Sequence, residues 1–229
     1  MNESNHAVPA PWQLSGRGYV IALSCSPAFG EICARDMPAL AGRARGGMGV
    51  LMVVDYASSN VGPYRELLLC PGRFDFGDRE AATITHIWVS TQASVDNGQR
   101  NWGLPKRLAS FETIEHNDNS EGFRVQLPDH APLTLSFSRR GPRLPLSTGV
   151  LPQAWRTLEQ PWQGYDYRTV IGAKTRSRLA RLEDIDNPAD SGFPDIADQK
   201  ARIGLYADRF DLHFPPATRR PGDTAKRAE

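Results

Sequence analysis

Lysine is scarce in this chain. Of 27 basic residues only four are lysines (Lys106, Lys174, Lys200 and Lys226), and the other 23 are arginines. A GC-rich genome is enough to explain an arginine bias, yet it makes each lysine position worth questioning. Cysteine is scarce as well. Cys25, Cys33 and Cys70 form an odd set without metal-ligand spacing, which argues against a disulfide framework and for a reducing compartment. There is no excess of one charge: 27 Lys+Arg against 26 Asp+Glu leaves a net +1, without the basic footprint of a nucleic-acid binder. No apolar run reaches the roughly 18 residues of a membrane span. The opening MNESNHAVPAPWQ lacks a basic patch followed by an apolar stretch, so no signal peptide is expected and the expected location is cytoplasmic. His86, His116, His130 and His213 are scattered, with no HxH, HExxH or CxxC pattern; neither a metal nor a cofactor is expected. GxSxG, GxxxxGK[ST] and GxGxxG are absent too, and the Gly42 to Gly47 run lacks the strand-to-helix context of a phosphate loop.

What is present is globular. The chain has 229 residues, 40% hydrophobic and 23% charged, enough to bury a substantial core. Residues 1–10 read as a loose arm, 11–214 as a single domain and 215–229 as a Pro-rich, charged, disordered tail. The 18 prolines and 20 glycines are spread throughout, favouring many short elements joined by turns. Strands are expected at Gly18–Ser24, Gly49–Tyr56, Tyr64–Cys70, Ala82–Val89, Ala109–Ile114, Gly122–Leu127, Leu133–Ser138 and Arg202–Phe214. Helices are expected within Pro27–Ala41 and over Ser94–Arg100. The class is mainly β (α+β), an antiparallel barrel with a few peripheral helices.

Three positions could carry chemistry. Lys106 stands in NWGLPKRL, after Trp102, Leu104 and Pro105 and before Arg107. Apolar neighbours and an adjacent guanidinium both disfavour a charged amine, and a neutral amine attacks carbonyls to form a Schiff base. Pro105 stiffens the backbone that presents it. Glu66 lies in GPYRELLL, where strand alternation puts Tyr64, Glu66 and Leu68 on one face and Arg65, Leu67 and Leu69 on the other. A carboxylate among leucines can serve as a general acid or base. Arg17, just before a strand, can fork onto a carboxylate. Taken singly, each also reads as an ordinary solvated residue.

Three segments in order resemble the acetoacetate decarboxylase family: Pro11-Trp12-Gln13-Leu14-Ser15-Gly16-Arg17-Gly18-Tyr19, then Asp55-Tyr56 through Gly62-Pro63-Tyr64-Arg65-Glu66, then Gly98 through Leu108 with its Trp-Gly-x-Pro-Lys cluster. Leu212-His213-Phe214-Pro215-Pro216 is similar to that superfamily as well. The resemblance implies a cone-like antiparallel β-barrel with the active site inside, usually in homo-oligomers. It implies that Lys106 forms the Schiff base with a small keto-acid substrate. Glu66 would be its catalytic partner and Arg17 the residue facing the substrate carboxylate. Tyr64, Trp102 and Arg107 would also contact substrate.

Two departures from the family pattern bear on the reaction. Arg107 replaces a second lysine, and Gly49 to Val54, where a second acid is expected, contains none. Decarboxylation of a β-keto acid is the leading expectation. Aldol or dehydratase chemistry on an α-keto acid such as pyruvate is the alternative within the superfamily, and a non-catalytic small-molecule-binding barrel is the alternative outside it.

Overall fold

The computed structural model describes residues 7–222. The chain opens with the long strand β1 (Trp12–Cys25), the short helix α1 (Pro27–Cys33) and β2 (Ala44–Ser58). There follow β3 (Tyr64–Cys70), β4 (Arg73–Asp75), β5 (Glu80–Ala82), β6 (His86–Val89), helix α2 (Gln92–Trp102) and β7 (Lys106–Leu108). The second half contains β8 (Ser110–Asn117), β9 (Ser120–Gln126), β10 (Leu133–Ser147), β11 (Thr157–Trp162), β12 (Tyr165–Val170), β13 (Gly172–Asp186), β14 (Lys200–Phe214) and β15 (Thr218–Pro221).

Pairing is antiparallel almost throughout. One path runs β8-β9-β10-β13-β14-β1-β2-β3-β6-β7, with only β6 and β7 parallel. It curls into a barrel, because side chains from distant parts of the path meet inside it. Tyr19 of β1 stacks on Phe137 of β10 with ring centroids 4.3 Å apart, and Leu67, Trp88, Val125 and Leu135 share the same buried cluster. The N-terminal part of β2 also pairs with β4, and from there β5, β11, β12 and β15 build a second wing. A second buried cluster lies on the opposite face of β1, β2, β3 and β6. It includes Trp12, Val54, Tyr64, Leu68, Ile87 and Val89 and is covered by Val95, Trp102 and Leu104 in and after α2.

The barrel class follows the sequence expectation, while several boundaries differ. The strand expected at Ala82–Val89 is broken at residues 83–85. Thr83 and Ile84 bond instead to Glu159 and to the Gln160 side chain, so Ile84 leaves the His86/Trp88 face and joins the cluster under α2. The first helix stops at Cys33, and only a single 3-10 turn, Pro38–Leu40, follows. Between residues 140 and 200 the structure holds strands that the sequence pattern does not announce. β13 alternates charged outer positions with modest inner ones, and its long antiparallel pairing with β10 and β14 supplies what its side chains lack.

The two terminal segments are also better anchored than expected. Val8 donates its N–H to Asn97 Oδ1 at 2.8 Å and accepts from Asn101 Nδ2 at 2.8 Å. Past Pro215, β15 pairs with β12, and Arg220 reaches the buried Glu159 at 3.0 Å. Polar partners on α2 and β11 thus hold residues that composition alone marks as loose. The rest of both expected flexible segments lies outside the described residues.

Candidate active site

The segment around Lys106 explains itself residue by residue. Helix α2 begins at the N-cap Thr91, whose hydroxyl accepts from the Ser94 N–H, one of the donors a helix start leaves unpaired. It ends at Gly103, which takes φ 63° as a left-handed cap and donates to the Gln99 carbonyl at 2.9 Å. Leu104 is held extended by Pro105, and β7 starts at Lys106 beside β6. Register then decides direction. Lys106 is level with Ile87 and Glu66 is level with both Val54 and Val89. Those three apolar residues belong to the cluster under α2, so Lys106 and Glu66 point the same way.

They meet there. Lys106 Nζ lies 2.9 Å from Glu66 Oε2 and donates to Ser94 Oγ at 3.0 Å. Both charged residues are only 4% exposed. The Tyr56 hydroxyl donates to Glu66 Oε1 at 3.2 Å, and Nζ sits 5.0 Å from the Tyr64 ring centroid. Tyr56 and Tyr64 face each other across β2 and β3 with centroids 4.6 Å apart. Burial, with Glu66 adding to it, pushes both phenols well above their ordinary pKa, so they act as neutral hydroxyls. Ser94 hydrogen-bonds Tyr64 as well. Lys106, Glu66, Tyr56, Tyr64 and Ser94 thus form one connected polar group in an apolar setting. Gly98, one helical turn beyond Ser94, makes room for the lysine stem: a Cβ there would lie 2.6 Å from Lys106 Cδ and 2.8 Å from Cε.

Three other expected site residues are elsewhere. Arg17 is level with Asp55, which is level with Arg65. That row is one residue out of step with Gly18, Val54 and Glu66, so it faces the opposite side. Arg17 pairs there with Asp55 at 3.6 Å and Glu121 at 3.8 Å, with 44% of its side chain exposed. Arg107 follows Lys106 in β7 and is exposed on the other face, level with Trp88. Its charge is felt by His86, whose pKa falls to about 4, chiefly through burial. Strand parity therefore points Arg107 away from the Lys106 amine. Trp102 is a packing residue. Its indole donates to the Pro215 carbonyl at 2.7 Å and its ring packs against Trp12 and Phe214. The Lys106–Glu66 pair lies on the face that carries Val54, Ile87 and Val89, between the sheet and α2.

Sequence reasoning misses Tyr56, Ser94 and Gly98. The i, i+4 spacing of Ser94 and Gly98 on a helix beside Lys106 is the available signal; Tyr56 becomes visible only through β2–β3 register. Pro105 lines a cleft of about 240 Å³ together with Asp36, Trp162 and Tyr165. Among the described residues no group of three or more His, Cys, Asp or Glu side chains is placed to hold a metal ion, and no helix is long and apolar enough to cross a membrane.

The acetoacetate decarboxylase family profile matches residues 40–171, more than half of the chain. The chain belongs to the acetoacetate decarboxylase family. Similar solved structures include acetoacetate decarboxylase from Legionella pneumophila, at 14% identity and TM-score 0.67, covering 96% of this chain and 91% of that one. They also include an acetoacetate decarboxylase-like enzyme from Sphingomonas wittichii RW1, at 16% identity and TM-score 0.63 over 93% and 94% of the two chains. A third is the enduracididine biosynthesis enzyme MppR complexed with pyruvate, at 14% identity and TM-score 0.62 over 94% and 92%. At these identities the likeness is one of fold. No curated protein matches the chain in sequence.

Proposed function

We propose that this family member is a lysine-dependent lyase in which Lys106 forms a Schiff base with a small β-keto acid and Glu66 manages its protons. The observation that carries the reading is the buried Lys106–Glu66 contact at 2.9 Å. An amine becomes a nucleophile only after giving up its proton, and an acceptor already stands within hydrogen-bond reach. The neutral Nζ attacks the keto carbon to give a carbinolamine. Loss of hydroxide, protonated to water by Glu66, leaves an iminium. The bond to the carboxylate then breaks, its electron pair flows into the iminium, and CO₂ leaves an enamine. Protonation of the enamine carbon and hydrolysis release the ketone and the free amine. An apolar surround favours the middle step, because charge leaves the carboxylate as CO₂ forms.

A second reading is favoured by where the guanidiniums lie. Arg17 and Arg107 both face away from Nζ, whereas the Ser94 hydroxyl is 3.0 Å from it, the Tyr64 ring centroid 5.0 Å from it, and the Tyr56 hydroxyl reaches the carboxylate beside it. Hydroxyls can hold a carboxylate in place while an α-keto acid such as pyruvate forms an enamine that condenses or loses water. MppR, of similar fold, has been seen with pyruvate. In either reading the substrate is a small keto acid and homo-oligomers are the expected assembly.

Incubation with acetoacetate, or with pyruvate, followed by borohydride and mass spectrometry tests both readings. An iminium is reduced to a stable amine, so the Lys106 peptide is expected to gain mass and the Lys106→Ala protein to gain none. CO₂ release from acetoacetate supports decarboxylation; condensation or dehydration products from pyruvate support the second reading. A folded protein that takes up neither keto acid covalently speaks for a barrel that binds without catalysis.

A further inference from the structure

Glu66 is a buried carboxylate with two oxygens, and only one of them is used by the lysine. Oε2 accepts from Lys106 Nζ, while Oε1 accepts from the Tyr56 hydroxyl at 3.2 Å. The groups facing Glu66 come from every element around it: Lys106 from β7, Tyr56 from β2, Tyr64 from its own strand, and Ser94 from α2 by way of Nζ. Val54 and Val89 flank it on the neighbouring strands. We propose that Tyr56 is a positioning residue, acting on Lys106 through Glu66 by holding the far carboxylate oxygen so that the near one stays aimed at Nζ.

The physical case has three parts. First, a buried carboxylate needs donors, and a hydrogen bond to its charged form favours that form. Second, Tyr56 is a reliable donor: fully buried beside an anion, its phenol keeps its proton through the whole working range. Third, the two contacts use different oxygens, so the phenol prevents the carboxyl group from turning both oxygens to the ammonium or protonating at Oε1. Its ring packs against the tilted Tyr64 ring, which fixes the phenol in turn. The carboxylate part stands on geometry alone; the effect on chemistry rests on reading Lys106 as the imine-forming amine.

The test separates the two. In protein labelled with ¹³C at the glutamate carboxyl carbons, the Glu66 resonance is identified by its loss in Glu66→Gln. Its protonation midpoint is expected to lie higher in Tyr56→Phe than in wild type, because the variant loses one donor to the charged form and keeps the ring. In parallel, borohydride trapping of the acetoacetate imine is followed against pH. The acid limb of the trapping rate is expected to move upward with the carboxylate, and the rate at neutral pH to fall by about tenfold. A folded Tyr56→Phe whose Glu66 midpoint does not move overturns the proposal, whether or not imine forms. A midpoint that moves in a protein whose wild type traps no imine upholds the role of Tyr56 on Glu66 and instead overturns the lyase reading. A merely structural tyrosine would lower the melting temperature and leave both pH curves in place, which also overturns the proposal. If Tyr56→Phe does not fold, Tyr56→Met, which fills the space without a donor, is measured the same way with the same expected shifts.

Discussion

Two buried carboxylates in this protein are held in contrasting ways. Glu159 on β11 is fully buried and clamped by arginines: Arg79 Nε at 2.7 Å, Arg79 Nη2 at 3.3 Å and Arg220 Nη2 at 3.0 Å. Glu66 on β3 is almost as buried but is held by one lysine and one phenol. A guanidinium keeps its charge at any working pH and offers a fork of donors, so the Glu159 cluster can only hold. It ties the β4–β5 turn and β15 onto the second wing. An amine can give its proton to the carboxylate beside it and then attack a carbonyl. In a chain with four lysines and 23 arginines, one of the few lysines occupies the buried position beside Glu66. The arginines do the clamping.

The contrast breaks most visibly at Gly98. In Gly98→Ala the new Cβ would press on Lys106 Cδ and Cε, so the flexible stem shifts and Nζ leaves Glu66 and Ser94. Displacement of a reacting group by about 1 Å costs on the order of 10²-fold in rate, and imine trapping should slow by that factor. Stability should fall as well: alanine in a helix is favoured over glycine by about 0.5–1 kcal/mol, but parting the buried Lys106–Glu66 pair costs more than that gain. Parallel trapping kinetics and thermal melts check this. A variant that traps imine as fast as wild type would mean that the lysine stem has another route to the site.

Glu159→Ala should lower stability alone. Removing the carboxylate leaves Arg79 with Asp78, and Arg220 with Asp78 and Asp166, as remaining acidic partners, at a cost of about 3 kcal/mol. That is the low end for a broken buried pair, because Arg79 and Arg220 keep 25% and 38% of their side chains exposed and can rehydrate. Urea denaturation should show this loss, while imine trapping on the folded fraction stays near the wild-type rate. Coupled loss of both would show that the second wing supports the Lys106 site and would blur the division drawn here.

How much of this is legible in the sequence depends on parity. Alternation in Tyr64-Arg65-Glu66-Leu67-Leu68-Leu69 correctly assigns the faces of β3: Tyr64 and Leu68 lie in the cluster under α2, Leu67 and Leu69 in the barrel. The NWGLPK signal is legible because each residue has its own local reason: helix end, left-handed cap, proline restriction, strand start. The same rule sets Arg17 and Arg107 on the face opposite Lys106 and Glu66. Arg17 is two residues before Tyr19 and so shares its face, inside the barrel; Arg107 is adjacent to Lys106 and so opposes it. Proximity in sequence is not proximity in space. Tyr56 and the Glu159 clamp are out of reach for a different reason: Tyr56 depends on the β2–β3 register and the clamp joins segments 80 residues apart, and no local pattern encodes either.

Arg17 gives the smallest expected effect, and one that separates the two faces cleanly. Its ion pairs with Asp55 and Glu121 are 3.6 and 3.8 Å long and its side chain is close to half exposed. Pairs of that kind contribute at most about 1 kcal/mol. Arg17→Ala should therefore lower stability by less than that amount, since Glu121 keeps its contacts with Tyr19 and Arg139. The effect on the reaction follows from direction. Arg17 belongs to the row of Asp55 and Arg65, not to the row of Val54 and Glu66, so it has no straight path to Nζ. Imine formation and the apparent affinity for acetoacetate should both stay within about twofold of wild type, a difference worth under about 0.5 kcal/mol. A loss of affinity by tenfold or more with unchanged stability would place the substrate carboxylate on the far side of the sheet. It would mean that the chain rearranges around β1 when substrate binds, and the site would then span both faces.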